Sequence, residues 1–294
     1  MHKFLRAIGF SQIKTREQLQ LLIAKTIKDS SFRSFTTYEE DTLLAEYSLE
    51  FGKNMGLTVC GEMDLQDSFI FDYMYPFMRG SNVSSKERSI IEQHSDKISF
   101  AGVCEDNKIG ISIIYYLQNR MDFIKQSYTQ KENEKAITLT LSGLSTGGTI
   151  MMPLAKDVHA KRKSDSSAKK RNKLIEAAKN GDETAIESLT LDDLDVYSSI
   201  SQKIKDTDVY TLVDTYFMPY GVECDKYSVL GEITELEEVE NVITHETVYQ
   251  MTLMCNEIPI DICVNKEDVF GEPEVGRRFK GNIWLQGFLN YSLS

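Results

Sequence analysis

Apolar and polar residues alternate with a period of two along most of this chain, and only short stretches repeat near 3.6. The first helical stretch is well signed. Thr15-Arg16-Glu17-Gln18 has the form of a capping box, in which the Thr hydroxyl and the Gln amide each satisfy a free backbone N–H. Leu19, Leu22, Ile23 and Ile27 then fall on one face, which predicts a helix packed into a core. After it the period changes. Ala45, Tyr47, Leu49 and Phe51 alternate with Glu46, Ser48 and Glu50, residues 52–55 can turn the chain, and Leu57 and Val59 resume the alternation, as in a β-hairpin. Phe69, Phe71, Tyr73 and Tyr75 line one face of a further strand that Pro76 is expected to stop. Phe100–Cys104 and Ile109–Tyr115 predict another hairpin, 119–127 a short helix, and Ala136–Leu141 with Thr149–Leu154 a last hairpin around Gly143, Gly147 and Gly148.

Beyond residue 160 the pattern shifts. Residues 161–173 hold seven basic groups and one acid, and lead into helical spacing at Leu174, Ile175, Ala177 and Ala178. Thr190 to Asp193 can cap a second helix reaching about Lys205, while 208–217 fits helix or strand equally. Tyr227–Val239 reads as an acidic strand. Val248–Cys255 and Ile258–Val264 flank Asn256-Glu257. A two-residue turn there pairs Cys255 with Ile258, Leu253 with Ile260, Met251 with Ile262 and Tyr249 with Val264, all apolar and all on one face. Residues 276–289 supply one more strand or a bent pair. The expected fold is α+β: an N-terminal domain over 1–160 with a mixed, largely antiparallel sheet and helices; a helical connector over 161–206; and a small all-β barrel of the oligonucleotide/oligosaccharide-binding (OB) type over 207–294, with a small sandwich as the alternative.

Charge sharpens that division. Residues 1–160 carry 18 basic and 20 acidic groups, 161–206 carry 10 and 9, and 207–294 carry 5 and 16, so nearly all of the net −12 sits in the last segment. A nucleic-acid partner is disfavoured there, because phosphate contacts need the opposite sign. With 41% apolar and 27% charged residues over 294 positions, the chain is globular and long enough for two cores. Its longest apolar run, Ile109–Leu117, is interrupted by Gly110 and Ser112 and falls short of the roughly 20 residues a spanning helix needs. Five scattered cysteines fit free thiols in a reducing compartment, so a cytoplasmic protein without membrane contact is expected.

Few residues suggest chemistry. Gly143-Leu144-Ser145-Thr146-Gly147 matches the G-x-S-x-G elbow, but the motif needs a helix after it and 148–153 reads as a strand. The same glycines lack the Lys-Ser/Thr of a phosphate loop. The four histidines are far apart, and the hairpin register sends Cys255 and Cys263 to opposite faces, so no metal site, cofactor site or catalytic set is assigned. The glutamates of 232–240 read as a solvated face. Lys161, Arg162, Lys163, Lys169, Lys170, Arg171 and Lys173 form a candidate patch for an anion or partner; they lack interleaved aromatic residues, and a solvated linker or docking against the acidic domain accounts for them as well.

The opening Met1-His2-Lys3-Phe4-Leu5-Arg6-Ala7-Ile8-Gly9-Phe10, the stretch Leu189–Asp195 and the run Phe217–Ile233 resemble a family of uncharacterised proteins from anaerobic Gram-positive bacteria, known as a domain of unknown function. The resemblance implies a bacterial cytoplasmic protein and carries no activity, cofactor or site residue. The expected function is a non-catalytic binding or scaffolding protein, with the barrel used on a protein partner or a sister subunit. The alternative is an enzyme or small-ligand protein whose pocket is walled by Phe69, Phe71, Tyr73, Tyr75, Tyr115 and Tyr116.

Overall fold

Backbone pairing in the computed structural model forms two hydrogen-bonded networks. The structure describes residues 3–38, 42–93, 98–106, 108, 110–129, 138–153, 182, 184, 188 and 213–291. The strands are β1 (Phe32–Tyr38), β2 (Thr42–Gly52), β3 (Met55–Met63), β4 (Phe69–Met78), β5 (Ser89–Gln93), β6 (Phe100–Glu105), β7 (Ser112–Leu117), β8 (Thr138–Met151), β9 (Tyr216–Pro219), β10 (Lys226–Glu240), β11 (Thr247–Cys255), β12 (Ile258–Asn265), β13 (Val269–Phe270) and β14 (Arg278–Asn290). The α-helices are α1 (Arg16–Lys28) and α2 (Arg120–Thr129). Strand makes up 56% of the described residues, so the molecule is mostly β rather than an even mixture of helix and sheet.

The first network is an antiparallel sheet in the order β1-β2-β3-β4. The capping box at Thr15 and Gln18 starts α1, with both reciprocal bonds formed, and α1 packs on β2 and β3. β4 does not stop at Pro76 but runs on to Met78. It is an edge strand, where the missing N–H of proline costs no ladder bond.

The second network contains a closed barrel of five strands. β10, β11 and β12 form an antiparallel meander, β14 pairs back onto β10, and β8 closes the cycle between β14 and β12, antiparallel to the first and parallel to the second. The β11–β12 register is the expected one: Cys255 opposite Ile258, Leu253 opposite Ile260, Met251 opposite Ile262 and Tyr249 opposite Val264. Asn256 and Glu257 both have positive φ, 47° and 65°, as a type I′ turn requires. These apolar pairs face the barrel interior with Val229, Ile233, Leu139, Leu141, Phe279 and Ile283.

Several expectations give way here. Residues 138–151 form one long strand, not a hairpin, and it is a wall of the barrel. A barrel drawn wholly from 207–294 is therefore one strand short. β7 also joins the edge of β14, through Gln286 opposite Tyr116, and carries β6 and β5 with it. The separate N-terminal sheet is thus confined to residues 32–78. β14 is one strand with a register shift between Gly281 and Ile283. Residues 216–219 are strand β9, paired with β10. The helices expected in the 161–206 connector lie outside the described residues.

The N-terminus is tied to the barrel. A 3-10 segment, Lys3–Ile8, buries Phe4, Leu5, Ala7 and Ile8. Ala7 O accepts from Cys263 Sγ at 3.2 Å, Ile8 O accepts from Asn241 Nδ2 at 2.8 Å, and Phe4 stacks on Trp284 at 5.5 Å.

Candidate functional site

The candidate patch Lys161, Arg162, Lys163, Lys169, Lys170, Arg171 and Lys173 lies outside the described residues. The elbow-like segment 143–147 runs within β8. Ser145 is fully buried, and its hydroxyl donates toward Gly147 O and Asn282 O, both at 2.9 Å. His245 is exposed and sits 2.6 Å from Glu240. Ser145 is therefore a strand residue satisfied by backbone, without the strand-to-helix turn that a nucleophile elbow needs. Cys255 faces the barrel interior and Cys263 the N-terminal segment, so the two do not converge. Among the described residues no group of three His, Cys, Asp or Glu is placed to hold a metal ion. No helix among them is long and apolar enough to cross a membrane.

The six aromatic residues expected to wall a pocket are dispersed. Tyr115 fills space between Gly102 and Gly287, where a Cβ would meet its ring at 2.0 and 2.2 Å. Phe71 is half exposed in an apolar groove beside α1, and Phe69 packs edge-on against Tyr47. Only Tyr73, Tyr75 and Tyr116 stay together, with ring centroids 6.5 and 4.8 Å apart along that series.

These three tyrosines border a buried polar group that the alternating pattern did not single out. Glu46 and Ser48 lie on the polar face of β2, and that face is turned toward the start of α2 rather than to solvent. Arg120, 2% exposed, donates to Glu46 Oε1 and to Ile98 O, and its guanidinium lies 5.3 Å from the Tyr73 ring centre. Cys60, opposite Glu46 on β3, donates its thiol to the same oxygen at 3.6 Å. Burial pushes the ionisation of Cys60, Tyr73, Tyr75 and Tyr116 well up, so all four stay protonated at neutral pH. Burial works against the Arg120 charge, but the acidic groups around it, Cys60 and Glu46 foremost, hold its pKa above the ordinary arginine value. A protonated thiol and protonated phenols are poor nucleophiles and bases, and the contacts of this group join β2, β3, β4, β7 and α2.

Two concave sites lie nearby, and the first of them adjoins this group. One is a cavity of about 260 Å³ between the first sheet, α2 and β14, bordered by Glu46, Tyr75, Gln118, Asp122 and Phe288. The other is a cleft of about 470 Å³ between the β2–β3 turn, the chain after β4 and the outer face of β10–β12. In the cleft, Lys53 pairs with Glu237 at 2.5 Å, and Gln250 Nε2 donates to Lys53 O at 2.6 Å. Asp261 lies on the outer face as the register requires, yet it is 3% exposed. It accepts from Thr252 Oγ1 and from the backbone N–H of Ser81, both at 2.6 Å, so it pins residues 81–82 over the barrel. An isolated aspartate in a strand of isoleucines was the one signal available for this contact.

Comparison with curated proteins and with solved structures found no match. Residues 5–287 match a family model described as a domain of unknown function, E. rectale gene description (DUF3881), and the chain belongs to that family.

Proposed function

We propose that this chain is a non-catalytic binding protein that engages a protein partner, or a second copy of itself, through the outer face of its barrel. The cleft of about 470 Å³ against β10–β12 carries the reading. Its rim offers Lys53, Arg79, Glu235 and Glu237 around a floor of Gln250 and Thr252, a mixed-charge surface suited to a polypeptide. The strand path favours an OB-like barrel. In that fold a three-stranded meander closes through the last two strands, and the fifth lies parallel to the third. Here β8 takes the fifth strand's place although it comes first in the chain, as in a circular permutation. Ligands of OB folds lie on the face of the second and third strands, which β11 and β12 match. The acidic excess of residues 207–294 argues against nucleic acid on that face. The basic residues 161–173 offer a second contact of opposite charge. Five free cysteines, four of them buried, fit a cytoplasmic setting.

The test uses the full chain carrying photo-crosslinking residues at Lys53 or Glu237 in bacterial cells. A discrete adduct is expected, and Glu235→Arg, at the exposed rim of the cleft, should remove it while leaving the melting transition in place. A protein that is strictly monomeric at every salt concentration, with no cleft-dependent adduct, overturns the proposal.

A further inference from the structure

The 260 Å³ cavity beside the Glu46–Arg120 pair is built differently from the cleft, and the state of its hydrogen-bonding groups limits what fits it. Its apolar walls are Phe32, Phe77, Met121 and Phe288. Its amide and phenol donors are engaged within the protein. Tyr75 Oη donates to Gln118 O at 2.9 Å. Gln118 Nε2 donates to Met78 O and to Gln286 Oε1, both at 2.8 Å. Asn119 Nδ2 donates to Leu289 O at 2.9 Å. The Ser48 and Thr58 hydroxyls bond each other at 2.9 Å. Arg120 is paired with Glu46, and Arg79, which lines the cavity, donates one N–H to Glu50 at 3.1 Å. Lys125 Nζ lies 3.0 Å from the Ser34 hydroxyl.

What remains is a surplus of acceptors. Arg120 and Cys60 both contact Glu46 Oε1, and among the described residues no donor bonds Oε2. Gln118 Oε1 accepts no bond from them either, and Asp122, in the first turn of α2, is held only by Asn119 Nδ2 at 3.5 Å through one oxygen. A ligand rich in acceptors, such as a carboxylate or phosphate, meets two carboxylates here, and the one cation that lines the cavity, Arg79, is already shared with Glu50. A ligand rich in donors matches both the hydrogen bonds and the charge. At about 30 Å³ for each water-sized group, the space holds roughly nine of them. Apolar walls beside carboxylates suit a cationic head on a short aliphatic chain.

We propose that this cavity binds a small aliphatic amine, held by Glu46 and Asp122 and packed against Phe32 and Phe288. The proposal is independent of the barrel face, and either can fail alone.

An isosteric series tests it by titration calorimetry on the full chain: 1,4-diaminobutane, 1,4-butanediol and succinate present an amine, a neutral hydroxyl and an anion on the same four-carbon scale. Saturable binding of the diamine is expected, at least tenfold tighter than the diol, with none for succinate. Asp122 is exposed, so Asp122→Asn and Asp122→Lys are expected to stay folded; the first should weaken diamine binding about tenfold and the second abolish it. No binding of the diamine, equal binding of all three compounds, or folded Asp122 variants that bind as the wild type does overturns the proposal.

Discussion

Each cysteine has an environment that predicts its reactivity. Cys60, Cys104, Cys255 and Cys263 are fully buried, and Cys224 is exposed. Burial raises the ionisation of all four buried thiols, Cys255 to about 12. A thiol reagent at neutral pH should therefore modify one group quickly in the native protein and five after denaturation. Two or more fast-reacting groups in the folded chain would contradict the described packing. The scattered positions of these residues already pointed to free thiols. Which one is exposed depends on a neighbour, as for Cys263, whose cover is Ala7 from the far end of the chain. Glu46 teaches the same lesson. Its place in an alternating strand reads as a polar face, and only α2 lying over that face makes it a buried charge.

Among the elements, β8 is where sequence and structure differ most. Gly143, Gly147 and Gly148 suggest a turn by composition, yet they sit in a continuous strand because neighbours crowd it. A Cβ on Gly148 would lie 2.3 Å from the buried Phe279 ring and 2.9 Å from Lys280 O, and one on Gly143 would lie 2.9 Å from Ile283. Close approach of strands across a small barrel calls for glycine as surely as a turn does. Gly148→Ala should therefore cost about 1–3 kcal/mol of stability, by overpacking. Urea unfolding measures it, and a neutral substitution would argue against β8 as a barrel wall. The β11–β12 hairpin behaves oppositely. Its turn and its apolar pairs agree locally, so its register follows from sequence alone.

For the whole molecule, the decisive contacts join distant parts of the chain. Arg120 at the start of α2 links the first sheet to the strands that extend the barrel, through Glu46. Breaking a buried ion pair leaves one charge without compensation, which costs about 3–5 kcal/mol. Arg120→Met is expected to lose that much in urea unfolding, and adding Glu46→Gln to recover part of it. A loss below about 1 kcal/mol would show the pair to be solvated. Asp261 and the 3-10 segment at the N-terminus act alike, each joining segments about 180 residues or more apart. By itself the sequence determined what depends on neighbours along the chain: the capped first helix, the β2–β3, β6–β7 and β11–β12 hairpins, the inward face of the barrel meander and the acidic excess of the last segment. Periodicity and turn chemistry are local, and so are their readings. Only the tertiary structure decided that β8 closes the barrel, that β7 extends it, and that Glu46, Asp261 and Cys263 are covered. Those outcomes rest on pairing and burial between residues far apart in the chain, about which a local pattern carries no information.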